Sequence, residues 1–139
     1  VTETEGDCAE WSFPADPGAV RAARHAVRGA LGGWGLDAAV VDEAVLLVSE
    51  LVTNSMRYTP GPVGVRVTHP RRAGDRAAAL PGLVVEVSDP LPVAPTERTP
   101  GPDEESGRGL QLVARAARRW GTRRGKSGKT VWFELALPG

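Results

Sequence analysis

Apolar positions in this chain change period along its length, and each change marks an element. Trp11 and Phe13, with a polar residue between them, predict a short strand over 10–15, which Pro14 confines to an edge or an end. Asp16-Pro17 reads as a helix start, a capping residue followed by proline in the first turn. Val20, Ala23, Val27, Ala30, Leu31 and Trp34 then recur at helical spacing, and Gly32, Gly33 and Gly35 end the run. A second helix, capped by Asp37 and stopped by Pro60-Gly61, carries Val41, Ala44, Val45, Val48, Leu51 and Val52 as an apolar stripe. Val63, Val65 and Val67 recur at every second position, the period of a half-buried strand.

Residues 71–81 are polar and rich in Gly and Ala, a hairpin-length loop, and Leu83 to Ser88 predicts a second strand of that hairpin, closed by Asp89-Pro90. Residues 90–106 hold five prolines, several charges and no periodicity, which reads as a functional lid or a flexible segment. A third helix is predicted from about Gly109 to Arg119, with Leu110, Val113, Ala114 and Ala117 inward. Thr122–Arg124 and Lys129–Leu137 predict a final hairpin with Val131, Phe133 and Leu135 on one face. This order gives an α+β fold, three helices layered on a mainly antiparallel sheet, since hairpins leave little room for parallel crossovers. Residues 1–9 read as a loose arm and 10–139 as one domain.

Composition narrows the classes without choosing among them. Seventeen Lys and Arg cancel seventeen Asp and Glu, so bulk charge selects no partner. Eight basic residues and no acid lie between Arg108 and Lys129. Arg115, Arg118 and Arg119 there read as a solvated helix face, because no nucleic-acid recognition motif accompanies them. Cys8 is the single cysteine, which excludes an internal disulfide framework. No apolar run reaches the roughly 18–20 residues of a membrane span, and the acidic N-terminal stretch is unlike a signal peptide. A cytoplasmic protein with no membrane partner is the expectation.

Several chemistries are excluded by spacing. Gly125-Lys126-Ser127 and Gly128-Lys129-Thr130 lack the earlier glycine of a P-loop and sit in a hairpin instead of a strand-to-helix turn. No Gly-x-Ser-x-Gly elbow occurs, and His25, His69 and Cys8 are too far apart in sequence for a metal motif.

The better candidates are polar residues placed beside apolar ones. Glu50 and Asn54 stand four apart in the second helix, hence on one face. Asn54 offers an amide oxygen suited to Mg²⁺, and Glu50 a carboxylate suited to take a proton from an attacking hydroxyl or water. Asp89 ends a strand, where its carboxylate can accept from an exocyclic amine such as that of adenine; an Asp-Pro turn is the plainer reading. Gly107-Arg108-Gly109-Leu110 can bring backbone N–H groups to an anion, although Gly-x-Gly by itself marks any loop-to-helix junction. Thr130 adds a hydroxyl at the start of the last strand, where ordinary β-propensity also explains it.

In order, these segments resemble the GHKL ATPases, which include histidine-kinase catalytic domains, type II topoisomerases and chaperones. ELVTNSMRYTP from Glu50 resembles the N box, Val87-Ser88-Asp89 the G1 box, Gly107 to Leu110 the G2 box, and Gly128-Lys129-Thr130 the threonine-bearing strand. The resemblance covers about residues 10–137 and, within the superfamily, is greatest to anti-sigma-factor serine kinases and related stand-alone ATP-binding regulators of actinobacteria. It implies a Bergerat-type two-layer α/β sandwich that binds ATP and Mg²⁺. Glu50 would be the general base, Asn54 the Mg²⁺ ligand, Asp89 the adenine reader and Arg57 a phosphate contact. Gly107, Arg108, Gly109 and Leu110 would hold the phosphates, with Thr130 in the same pocket and residues 90–106 as the lid. The implied activity is phosphorylation of a serine or threonine on an antagonist (anti-anti-sigma) protein, with sequestration of a sigma factor; relatives often form homodimers.

One departure stands out. The G1 box of the family reads Asp-x-Gly-x-Gly, whereas here it reads Asp89-Pro90-Leu91-Pro92-Val93. Prolines replace flexibility with stiffness at this place. The alternative this raises is a non-catalytic protein-binding switch with weak or no ATP binding.

Overall fold

Helix α2, Ala38–Tyr58, forms as its periodicity dictates. In the computed structural model, which describes residues 7–59, 61–69, 82–90, 105–125 and 128–137 (side chains of Tyr58 and 105–109 excepted), Asp37 caps α2 by accepting from the Ala39 N–H at 3.0 Å. All six residues of the expected stripe are buried, and so is Leu47. Helix α1, Ala19–Gly33, buries Ala19, Ala23, Val27 and Leu31. It starts later than Asp16-Pro17 predicts. Asp16 instead builds a turn, its carboxylate accepting from Gly18 N–H at 2.9 Å and its carbonyl from Ala19 N–H at 3.0 Å. Among the described residues no helix is long and apolar enough to cross a membrane.

Among the described residues five strands form one sheet: β1 Asp7–Phe13, β2 Val63–His69, β3 Gly82–Asp89, β4 Arg119–Gly125 and β5 Gly128–Ala136, in the order β1-β2-β3-β5-β4. Every pairing is antiparallel, so the expected α+β architecture with three helices on an antiparallel sheet is the one observed. Strand β1 begins at Asp7, inside the stretch expected to be a loose arm, and it is an edge strand that Pro14 ends. Helix α3, Glu105–Ala116, begins four residues earlier than its apolar pattern predicts and ends before Arg119, where β4 begins. Leu110 and Ala117 pack inward with fully buried Val113, but Ala114 is exposed. Leu112 and Ala116 take its place, because α3 packs against both α2 and β4 and so turns its face between them. The expected loop over 71–81 lies outside the described residues, as does most of the expected lid, 91–104.

Alternation along the strands separates two chemistries. Val63, Val65, Val67, Leu83, Val85, Val87, Val131, Phe133 and Leu135 point toward the helices and are buried, each full burial contributing about 1.5–3 kcal/mol. The opposite face carries charge. Glu86 lies between Arg66 (3.9 Å) and Arg123 (2.8 Å), and Glu134 between Arg118 (3.0 Å) and Arg119 (2.8 Å). The two histidines are an exposed residue, His25, and a packing residue, His69, whose ring stacks on Trp34 with centroids 6.3 Å apart.

Glu134 is the most enclosed member of this outer face, at 7% exposure. Burial alone would raise its carboxyl pKa, but hydrogen bonds from Arg118 and Arg119 outweigh that and hold it below the ordinary 4.5. A depressed folded-state value means stability that is present above the unfolded carboxyl value and lost as pH falls through the folded one. We predict that Glu134→Gln lowers stability at pH 7 by roughly 1–2 kcal/mol, because two charge-assisted hydrogen bonds go with the charge. Urea melts should show the gap between variant and wild type narrowing as pH falls below 4.5. A gap that stays constant with pH would show that the carboxylate charge is not what stabilises this corner.

Candidate functional site

The inner row of β3 runs Leu83, Val85, Val87 and then Asp89, so the strand's last inward residue is a carboxylate where a hydrophobe would be expected. Its side chain is only 3% exposed. The packing of α2 brings polar atoms to it: Ser55 Oγ donates to Asp89 Oδ2 at 3.3 Å. From the other side, β5 places Lys129 directly across the ladder from Asp89, with Nζ 3.8 Å from the same oxygen. Leu51, Asn54, Ser55, Val87, Asp89, Leu110, Lys129 and Val131 enclose a recess of about 60 Å³. Asn54, Asp89 and Leu110 therefore meet, from three elements distant in sequence.

Other expected residues are placed differently. Glu50 is partly buried one helical turn before Asn54, on the same side of α2, and does not line the recess. Arg57 is exposed and lines neither this recess nor the wider one beside it. Gly107, Arg108 and Gly109 fall within the first turns of α3 instead of in a loop before it, and their side-chain surroundings lie outside the described residues. Thr130 is out of phase with the inner row. It pairs with Ser88 on the outer face, their hydroxyls 2.8 Å apart, and both line a wider recess of about 450 Å³ with Asp89, Lys129, Arg123 and Arg124.

Two residues of the site escaped the sequence reading. Ser55 follows Asn54 but carries no motif signal of its own. Lys129 had a signal, since it is in phase with Val131, Phe133 and Leu135, so any pairing of that strand against Val87 and Asp89 turns it inward.

The donor set suits a hard cation that keeps most of its ligands from water and phosphate. Among the described residues no three His, Cys, Asp or Glu side chains gather into a cage. Beside Asp89, Ser55 and Lys129 the recess presents the Asn54 carboxamide, with the Glu50 carboxylate a helical turn away, and one or two such oxygens are what Mg²⁺ takes from a protein beside those of a phosphate. The two recesses share Asp89 and Lys129, so a ligand edge held at Asp89 can extend into the wider volume.

The pattern of the histidine kinase-like ATPase domain matches residues 13–135, nearly the whole chain. The chain belongs to that family. Among solved structures it is similar to the RsbU and RsbW domains of Rv1364c from Mycobacterium tuberculosis, with a TM-score of 0.66 and 18% identity over 94% of this chain. It spans 32% of that longer chain, and the likeness is one of fold. No curated protein matches the sequence closely.

Within this family domain, Gly128 lies against the end of β3. Its φ is +150°, and a Cβ there would collide with the Asp89 carbonyl. Glycine allows β5 to start hard against the end of β3, which sets Lys129 opposite Asp89. Gly128→Ala is predicted to cost about 2–3 kcal/mol, from backbone strain and a displaced strand start, measured by urea denaturation. A loss below roughly 0.5 kcal/mol, the range of neutral surface changes, would show that the close approach is dispensable.

Proposed function

We propose that the chain binds ATP with Mg²⁺ and acts as a regulatory protein kinase, phosphorylating a serine or threonine of an antagonist protein and sequestering a sigma factor when unopposed. The observation that carries this reading is the meeting of Asn54 and Asp89 in one recess at the edge of the α2–sheet seam. The family match supports ATP as the ligand, and the earlier resemblance to anti-sigma-factor kinases supports the partners.

In this reading Asp89 accepts from the exocyclic amine of the base, and Asn54 gives its amide oxygen to the cation. Bound Mg²⁺ supplies charge neutralisation at the phosphates. Glu50, partly buried and one turn from Asn54, takes the proton of the acceptor hydroxyl as the hydroxyl oxygen bonds to the γ-phosphorus and the bond from that phosphorus to the departing ADP oxygen breaks. Leu110 and the start of α3 bound the phosphate end, where helix N–H groups favour anions.

A second reading, a non-catalytic switch acting through protein contacts, is favoured by Leu91 and Val93 standing where the family has glycines, with Pro90 and Pro92 stiffening the same segment. The two are separated by incubating the protein with labelled ATP, Mg²⁺ and its antagonist, and by calorimetric titration of ATP. Expected results are Mg²⁺-dependent micromolar binding and phosphotransfer that Glu50→Ala lowers about 10²–10⁴-fold, the usual contribution of a general base, with ATP affinity nearly unchanged. Equal transfer by Glu50→Ala sinks the kinase assignment, and millimolar or absent ATP binding favours the switch.

A further inference from the structure

Lys129 belongs to neither the expected site nor the charged outer face, yet it lines both recesses. Its side chain is 33% exposed, enclosed for a lysine. The ammonium stands 3.8 Å from Asp89 Oδ2, close enough for attraction but too far for a hydrogen bond. Its three N–H donors are therefore not spent on the carboxylate, and among the described residues they make no other hydrogen bond. Asp89 is the acceptor half of this pair and Lys129 the donor half, side by side across one rung of the β3–β5 ladder.

A carboxylate alone discriminates between purines. Adenine presents an amine at its sixth position, a donor that a carboxylate can accept; guanine and hypoxanthine present a carbonyl there, which a carboxylate repels. Adjacent to that position adenine carries a ring-nitrogen acceptor, and the 6-oxopurines carry a ring N–H donor. The donor–acceptor order of the two edges is thus reversed. A site offering an acceptor and a donor together satisfies either order, provided the donor can move, and a four-carbon lysine stem allows that movement.

We propose that Lys129 makes the base end of this site accept 6-oxopurine nucleotides, GTP among them, as well as ATP, with Lys129 donating to the carbonyl while Asp89 accepts from the neighbouring ring N–H. The inference rests on the reading of Asp89 as the base-contacting residue. An Asp–Lys pair that served stability alone would be a cross-strand ion pair of the modest kind, indifferent to the nucleotide. Base preference is the property that separates the two roles.

The test is equilibrium titration of the whole chain with ATP, GTP and ITP in the presence of Mg²⁺, for the wild type and Lys129→Met, with a circular-dichroism melt to confirm that the variant folds. ITP isolates the carbonyl and ring N–H from the 2-amino group of guanine. The wild type should bind GTP and ITP within about fivefold of ATP, and Lys129→Met should weaken both relative to ATP by about tenfold or more, the loss of one charge-assisted hydrogen bond. ATP binding with a preference above roughly fiftyfold over both 6-oxopurines in the wild type overturns the inference and leaves the ATP reading intact. That wild-type ratio stands whether or not the variant folds. An unchanged ratio in folded Lys129→Met also overturns it. Failure of all three nucleotides to bind overturns this inference and the ATP reading together.

Discussion

The packing of α2 across the inner face of the sheet is the contact on which the rest of the structure depends. Ala44, Leu47, Val48 and Val52 are completely buried and Leu51 nearly so, a seam that only one rotation of the helix satisfies. Turning α2 by one residue, about 100°, would expose this seam and carry Asn54 and Ser55 away from Asp89. The polar end of the site is thus located by apolar packing. Burial worth several kcal/mol fixes side chains whose own interactions, such as the 3.3 Å Ser55–Asp89 hydrogen bond, are individually weak.

The same economy of placement operates in the sheet. Period-two alternation gives β3 and β5 a dry row and a charged row, and the dry row ends in the rung Asp89–Lys129 just past Val87–Val131. A carboxylate exposed by only 3% would be costly if unpaired. Ser55 and Lys129 offset that cost from opposite sides, one from the helix layer and one from the neighbouring strand. Asp89 therefore reports on both layers at once, and disturbing either changes its surroundings. The outer-face cluster around Glu134 is independent of this. It ties the end of α3, through Arg118, to β5 and the start of β4.

Much of this was legible in the sequence because local signals and tertiary packing agree. The stripe from Val41 to Val52, the Asp37 cap and the alternation in β2 and β5 each specify one face, and that face is buried. Asp89 was legible as a polar residue ending an apolar strand. The start of α3 was not, because Glu105 to Gly109 hold no apolar residue and two glycines, leaving periodicity nothing to mark. The inward turn of Lys129 in place of Thr130 depends on strand phase, which a hydroxyl's chemical appeal obscured. Ser55 could be assigned only from the distance between two layers, which no one-dimensional pattern contains.

The loss of the family's glycines and the presence of Lys129 bear on the same physical quantity. Pro90 has no N–H and a fixed φ, so the β3 ladder cannot continue past Asp89. On the facing strand, Gly128 starts β5 so close to the Asp89 carbonyl that a Cβ there would collide with it. The Asp89–Lys129 rung is consequently constrained along both main chains. Adaptation to a ligand must then come from side chains, and of the two at this rung the aspartate is short and enclosed while the lysine is long and one-third exposed. In the proposed nucleotide site, adaptation to the base therefore falls to rotation of the Lys129 side chain. On that proposal, base selectivity is set by where the ammonium can reach.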